Sequence, residues 1–203
     1  EIVRTRLAGI DVYDLMTQSL TAQILRPGNS ESISESHAFT DQATGDHFVV
    51  VSTTLRVQIH QLGSMGASLL REIQPGSISA MLVTDTNADG SPEIILQRRD
   101  TGVYYLEIYD LDLNRIRRVE ITQPFSKLVA VPDSISQGDH LVGIGSGTTY
   151  SNRLSEIDLR TGNVTWEGPS LLSSASTDSL DFVDSVAGAR LVWANRYVTV
   201  IGW

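Results

Sequence analysis

A short segment of the chain carries oxygen-bearing side chains at a regular spacing. Asp85, Asn87 and Asp89 occupy its first, third and fifth positions, and Glu93 occupies the ninth. Gly90, at the sixth position, permits the positive φ that turns successive oxygens toward one point. Hard cations such as Ca²⁺ take six to eight oxygen ligands, which a tight loop of alternating ligands can supply. The pattern therefore predicts a cation-binding loop.

The residues that follow this loop separate two kinds of calcium loop. An EF-hand requires a bidentate acid at position twelve and a helix after it, whereas position twelve here is Leu96. Residues 93–97 are mostly β-branched or apolar, which favours a strand. The loop therefore joins two strands, and Glu93 closes the set of ligands. A polar turn without an ion is the alternative interpretation, because Asn, Asp and Gly favour turns by themselves.

The sequence Asp-Thr-Asn-Ala-Asp-Gly-Ser-Pro-Glu at 85–93 resembles the calcium hairpin of FG-GAP and VCBS repeats. Those repeats form the blades of β-propellers of the integrin α-subunit type. The resemblance implies calcium as the cofactor. It also implies a ligand set, which comprises Asp85, Asn87, Asp89, the backbone carbonyl of Ser91, and Glu93.

Three landmarks recur along the chain with a common period of about 48 residues, which indicates a repeat protein. In each unit a leucine ends a β-like run, a proline closes the unit, and an aspartate ends the opening strand. The leucines are Leu15, Leu62, Leu111 and Leu159, the prolines Pro27, Pro75, Pro124 and Pro169, and the aspartates Asp41, Asp85, Asp133 and Asp184. The complete repeats are 29–76, 77–124 and 125–170, with partial repeats at 1–28 and 171–203.

Each complete repeat is predicted to form four strands. In the best-defined copy these cover 78–84, 93–98, 103–110 and 115–121, with turns between them. Four-stranded units of this length, arranged radially, are propeller blades. Helical repeats are disfavoured because apolar residues recur with period two or in short buried runs. The predicted fold is therefore all-β, a single β-propeller domain or segment with three complete blades and two partial terminal ones.

The strands predicted at the two ends of the chain are too many to form a single blade together. Residues 1–7, 9–15 and 19–25 match the second to fourth strands of a blade, and 179–183, 189–195 and 197–203 match the first three. We interpret the chain, which begins with Glu1 rather than Met, as an excised or mature segment of a larger propeller. Another chain or missing blades would complete it. A closed five-bladed ring is the alternative.

The equivalent loops of the other repeats retain their first aspartate but depart from the pattern at other positions that a cation needs. Ala43 and Ile135 stand at third positions where an oxygen is needed, and the loop that begins at Asp184 is shorter. We therefore expect one calcium site. In a separate resemblance, Asp-Leu-x-Thr-Gly-x-x-x-Trp at 158–166 is similar to the blade ending of quinoprotein-type propellers, which implies that Trp166 docks between blades.

Composition excludes several classes of function. A net charge of −9 argues against nucleic-acid binding, which needs a concentrated basic surface. The absence of cysteine excludes disulfides, thiolate zinc sites and a cysteine nucleophile. No apolar run approaches the ~18 residues of a membrane span. The four histidines are scattered, and no catalytic motif is found. The arginines of one blade are interpreted as solvated edge residues, with a basic patch as the alternative; they are Arg98, Arg99, Arg115, Arg117 and Arg118.

The functional hypothesis is a non-enzymatic calcium-binding propeller that recognises a protein or glycan ligand. The family resemblance implies a secreted, cell-surface or periplasmic protein, with cell adhesion among its roles. The alternative is the propeller of a carbohydrate-active enzyme, a lyase or hydrolase, in which a pocket would draw acids, tyrosines or arginines from several repeats.

Overall fold

The computed structural model describes residues 2–6, 9–13, 17, 19–25, 31–41, 44–64, 66–133, 138–145, 153–170, 179–183, 190–194 and 198–202. These residues form eighteen strands. No helix in the described ranges has the length and apolar character to cross a membrane. Among the landmarks named above, Leu15, Pro27, Ala43, Ile135 and Asp184 lie outside the described residues.

The strands follow one another along the chain. They are β1 (Ile2–Arg6), β2 (Gly9–Tyr13), β3 (Leu20–Leu25), β4 (Ile33–Thr40), β5 (His47–Thr53), β6 (Val57–Gly63), β7 (Gly66–Ile73), β8 (Ile78–Thr84), β9 (Glu93–Asp100), β10 (Val103–Tyr109), β11 (Arg115–Ile121), β12 (Phe125–Asp133), β13 (Gly138–Gly145), β14 (Arg153–Ile157), β15 (Val164–Ser170), β16 (Ser179–Val183), β17 (Arg190–Ala194) and β18 (Val198–Gly202).

Consecutive strands pair antiparallel into five sheets. The first sheet contains β1–β3 and the fifth contains β16–β18. The second (β4–β7), third (β8–β11) and fourth (β12–β15) sheets each contain four strands in sequence order. The all-β prediction of three complete and two partial blades is thereby confirmed. No pairing joins the first sheet to the fifth among the described strands.

The sheets are arranged so that their opening strands lie side by side. β4 contacts β8, β8 contacts β12, and β12 contacts β16. The last strands β7, β11 and β15 lie at the opposite edges of their sheets. The sheets therefore converge along their first strands, as radially arranged blades do.

The core lies between neighbouring sheets, and both faces of the third sheet are buried. Ile95 packs toward the fourth sheet, in a cluster with Leu106 and Phe125. Its neighbours Ile94 and Leu96 point the other way, toward the second sheet. Because successive side chains of a strand face opposite sides, burial of both faces explains why 94–96 is a continuous apolar run.

The turn between β9 and β10 is tighter than the sequence suggested. Thr101 and Gly102 have φ of 47° and 93°, so a positive φ is found at both central residues, as in a type I′ hairpin turn. Asp100, expected in the turn, instead pairs with Val103. β9 consequently extends two residues beyond its predicted end.

The docked position implied for Trp166 is not found. This residue lies on β15, the outer strand of the fourth sheet, and 37% of its surface is exposed. A tryptophan packed between two sheets would be largely buried. The quinoprotein-like motif therefore does not place its aromatic ring in an inter-blade core here.

Candidate metal centre at the β8–β9 hairpin

The predicted cation loop connects β8 to β9, which are neighbouring strands of the third sheet. Thr84, the last residue of β8, pairs with Glu93, the first residue of β9. This pairing holds the two ends of the loop together. Carboxylate oxygens of Asp85, Asp89 and Glu93 all lie within 4.8 Å of one another. The structure thus brings together the three predicted acidic ligands.

The loop curls around the carboxylate of Asp85. Its oxygens accept hydrogen bonds from the backbone nitrogens of Asn87 at 3.3 Å, Asp89 at 3.2 Å and Gly90 at 2.8 Å. Ala88 and Gly90 adopt left-handed φ values of 58° and 89°. A glycine at the second of these positions avoids the steric cost that other residues incur there. Backbone conformation therefore positions the acidic side chains.

The two remaining predicted ligands lie on the same loop. Asn87 donates from Nδ2 to Glu93 Oε1 at 2.9 Å, and its Oδ1 accepts from the Asp89 nitrogen at 2.9 Å. Ser91 donates its backbone N–H to Asp89 Oδ1 at 2.8 Å. Asn87 thus contacts the acidic cluster directly, whereas a role for the Ser91 carbonyl stays a prediction.

Glu93 is the most buried member of the cluster, with 5% of its surface exposed. Burial raises the pKa of its carboxyl group, and the charges of Asp89 and Asp85 raise it further. Thr86 opposes this rise in pKa by donating two hydrogen bonds to Glu93 Oε2, from its backbone nitrogen at 2.8 Å and from its hydroxyl at 2.9 Å. Sequence reasoning missed Thr86, although a hydroxyl beside the first ligand was a visible signal.

None of the three carboxylates forms an ion pair with an arginine or lysine among the described residues. Three like charges therefore converge on a small volume, and no arginine or lysine of the described ranges is paired to them. A divalent cation with a preference for oxygen ligands fits this donor set.

Two shallow depressions adjoin the hairpin. The acidic depression, about 300 Å³, is lined by Asn87, Asp89, Ser91, Pro92, Glu93, Asp110, Leu111, Asp112 and Ile116. The inter-sheet depression, about 240 Å³, is lined by Thr86, Asn87, Glu93, Ile108, Ile116, Arg117 and Leu159. Ile116 belongs to both depressions and is 57% exposed. No motif in the sequence indicates this surface, because it depends on how the β10–β11 turn lies against the hairpin.

A second polar cluster corrects the interpretation of the arginines as solvated edge residues. Glu107 on β10 is fully buried. It accepts hydrogen bonds from Arg98 Nη1 at 2.8 Å, Arg115 Nη1 at 3.0 Å and the Tyr109 hydroxyl at 2.7 Å. The solvated-edge interpretation is therefore wrong for Arg98, whose side chain is only 16% exposed. Arg115, 48% exposed on the outer strand β11, is a solvated edge residue that also pairs with Glu107. The exposed Arg117 conforms to the solvated-edge interpretation.

The charge state of this cluster follows from its contacts. Burial by itself would raise the pKa of Glu107, but the hydrogen bonds from Arg98 and Tyr109 hold that pKa below its ordinary value. Burial, together with the adjacent carboxylate, raises the pKa of Tyr109 to about 12. Glu107 is thus an ionised buried anchor for arginines of β9 and β11.

Comparison with known proteins bears on the fold. No family model matches this chain, and no curated protein matches it. A chain in the crystal structure of BBS1N in complex with ARL6DN, soaked with lead, is similar with a TM-score of 0.65 and 14% identity, over 98% of this chain and 60% of that one. Kuenenia stuttgartiensis hydrazine synthase is similar with a TM-score of 0.61 and 17% identity, over 96% of this chain and 57% of that one.

The fold is a β-propeller. The likeness extends over almost all of the present chain, and it agrees with the convergence of the four-stranded sheets along their opening strands. This propeller chain spans about three-fifths of the length of the solved chains that it matches.

Proposed function

We propose that this β-propeller is an interaction module that binds one calcium ion at the β8–β9 hairpin, in the manner of FG-GAP and VCBS repeats. The observation that supports the proposal is the convergence of three carboxylates within 4.8 Å, with no arginine or lysine paired to them among the described residues. Calcium would supply the positive charge that this cluster lacks.

The ligands in this proposal are the five residues of the loop. Asp85, Asp89 and Glu93 would contribute carboxylate oxygens, Asn87 its Oδ1 after rotation of the amide, and Ser91 its backbone carbonyl. The hydrogen bonds from backbone N–H groups to Asp85 orient that carboxylate before the ion binds. The protein therefore holds the ion-free loop close to the conformation that would bind the ion.

Calcium in this proposal orders a loop and does not decide whether the propeller folds. Extracellular calcium modules bind with dissociation constants of ~10⁻⁴–10⁻³ M. At roughly millimolar calcium such an affinity stabilises the folded state by only about 0.4–1.4 kcal/mol. A secreted, cell-surface or periplasmic location, where calcium is abundant, is part of the same proposal.

Protein recognition is the favoured role for the module. BBS1N, a chain of similar fold, was crystallised in complex with ARL6DN, which is an example of a protein partner for this architecture. The enzymatic alternative expects charged groups from several sheets in one pocket. In the two depressions beside the hairpin, every acidic or arginine side chain belongs to the third sheet or to its turns, so neither depression favours that alternative.

Thermal unfolding with and without calcium tests the proposed ion site. The unmutated protein should melt about 1–5 °C higher in millimolar CaCl₂ than in EDTA, given the shift expected per kcal/mol for a chain of this size. Asp89→Ala should abolish the difference. Asp46→Ala, which removes an exposed acid from the corresponding hairpin of the second sheet, should leave it intact. A melting temperature indifferent to EDTA in the unmutated protein would overturn the proposal.

A further inference from the structure

We propose that the two depressions on either side of Ile116 form a docking surface for a segment of a partner protein. The segment would place an apolar side chain against Ile116 and a lysine or arginine beside Asp110 and Asp112. This inference rests on the proposed interaction role of the module, and it names the surface and the chemistry of the partner. It does not depend on calcium binding.

The apolar part of the surface is created by a β-bulge. Ile108 pairs with Arg117 and Tyr109 pairs with Arg115, so Ile116 has no residue opposite it. A bulge of this kind redirects a side chain out of the regular ladder. Ile116 is 57% exposed between the two depressions, although β-branched apolar residues favour buried strand positions.

The bulge recurs in other sheets, but it does not require an apolar residue. The second sheet has the same irregularity at Leu70, the first sheet at Thr21 and the fourth at Thr165. Threonine therefore occupies this position in two of the four sheets. An isoleucine is not required for the bulge to form, and its presence beside two depressions needs another explanation.

The negative charge of the surface determines which side chains of a partner it can bind. Asp89, Glu93, Asp110 and Asp112 line the acidic depression, and no arginine, lysine or histidine lines it. Asp112 pairs with Arg71, but these side chains are 63% and 43% exposed, and an ion pair this exposed contributes little. A cationic side chain from a partner is therefore the complementary group. The same carboxylates repel phosphate-bearing partners such as nucleic acids or anionic lipids.

The charge on this surface does not vanish when the proposed calcium site is filled. Asp110 and Asp112 lie outside the proposed ligand set. Asp110 accepts from the Asn114 backbone nitrogen at 2.8 Å, which fixes its carboxylate at the rim of the depression. The depressions, about 300 Å³ and 240 Å³, are shallow and adjoin one exposed apolar residue. This shape suits side chains of a protein segment better than an enclosed small molecule.

The experiment uses a panel of decapeptides in which a central Leu, Ile, Phe or Trp is flanked by lysine and arginine. They are titrated into the ¹⁵N-labelled propeller in EDTA, and binding is measured from the shifts of backbone amide signals. At least one peptide should bind, with the largest shifts at residues 86–93 and 108–117. Matched peptides with glutamate in place of each basic residue should bind at least about tenfold more weakly.

Three variants separate this surface from non-specific attraction. Ile116→Thr should weaken binding at least about fivefold, because it removes the apolar contact while keeping a residue that this bulge accepts in other sheets. Leu70→Thr, the same change at the equivalent bulge of the second sheet, should leave binding unchanged. Asp112→Asn should weaken binding and reduce its dependence on salt.

Any of three results would overturn the docking surface. These are an absence of binding across the panel, equal binding of the glutamate peptides, or equal effects of Ile116→Thr and Leu70→Thr. The calcium dependence of melting is measured on the same variants. Since the peptide titrations are made in EDTA, failure of the docking surface and failure of the calcium site give different results.

Discussion

Gln97 and Phe125 join the third and fourth sheets through a reciprocal pair of buried hydrogen bonds. The Gln97 amide donates from Nε2 to the Phe125 carbonyl oxygen at 2.8 Å, and the Phe125 backbone nitrogen donates to Gln97 Oε1 at 2.7 Å. Gln97 is fully buried. A side chain of one blade thus satisfies the backbone of the first residue of the strand that opens the next blade.

Replacement of Gln97 by leucine should destabilise the propeller by about 2–6 kcal/mol. The change keeps the volume but leaves a buried N–H and a buried C=O of Phe125 without partners, and each unsatisfied group costs about 1–3 kcal/mol. Urea unfolding measures the loss. Gln61→Leu, at a half-buried position on β6, is the matched control and should change stability by less than about 0.5 kcal/mol. Equal effects of the two substitutions would contradict the proposed role of Gln97.

The contact between Gln97 and Phe125 also shows which part of the fold the sequence could predict. Strands and the repeat follow from local periodicity and turn residues, and the five sheets confirm them, although the β9–β10 turn is tighter than predicted. The bond between Gln97 and Phe125 depends on how one sheet stacks on the next. The same limit explains Glu107, since Arg118 lies directly opposite it on β11 and its Nε is 3.5 Å from Glu107 Oε1. Without the register, a strand rich in arginine resembles a solvated edge.

The candidate site also has a part that the sequence predicts and a part that it does not. Asp85, Asp89 and Glu93 lie in one short hairpin loop whose ends are paired, so their side chains must lie close together. Their proximity could therefore be predicted from the sequence. Ile116 could not be predicted as part of a surface. Its place in the surface depends on the bulge opposite Tyr109 and on the depression that the β10–β11 turn shares with the hairpin, and neither feature has a signature in the sequence.

Glu107→Gln should destabilise the propeller by about 3 kcal/mol at neutral pH, because it leaves the half-buried Arg98 guanidinium without its counterion. The pKa of Glu107 is lowered in the folded state, so its ionised form stabilises the fold above the unfolded pKa. That contribution is lost as the pH falls through the lowered pKa. The difference in stability between the two proteins should therefore narrow in acid.

Urea unfolding of both proteins between neutral pH and about pH 3 provides the measurement, which spans the ordinary pKa of a glutamate. Glu120→Gln, an exposed position on β11, should have little effect at any pH. Both free energies of unfolding are compared at each pH. If the difference between the Glu107→Gln variant and the unmutated protein stays constant down to the lowest pH, Glu107 is not an ionised anchor.

Tyr109 should titrate later than an ordinary tyrosine. Burial beside Glu107 raises its pKa to about 12, so the phenol should remain protonated after exposed tyrosines have ionised. Because the pKa is higher in the folded state, this group destabilises the fold as the pH rises above about 10, its unfolded value. Ultraviolet difference spectroscopy of the six tyrosines should show one late step. Tyr109→Phe should remove it, and an unchanged titration curve in that variant would contradict the assignment.

Gly162→Ala should destabilise the propeller more than Gly45→Ala, although both glycines have a φ of 75°. At Gly162 a Cβ would lie 2.0 Å from the Glu120 carbonyl oxygen, whereas at Gly45 it would meet no atom within 4 Å. The left-handed φ costs both variants about 1 kcal/mol. Gly162→Ala should lose a further 1–3 kcal/mol, roughly, because the β14–β15 turn must move away from β11. Equal losses in urea unfolding would show that the third and fourth sheets are not in close contact at this turn.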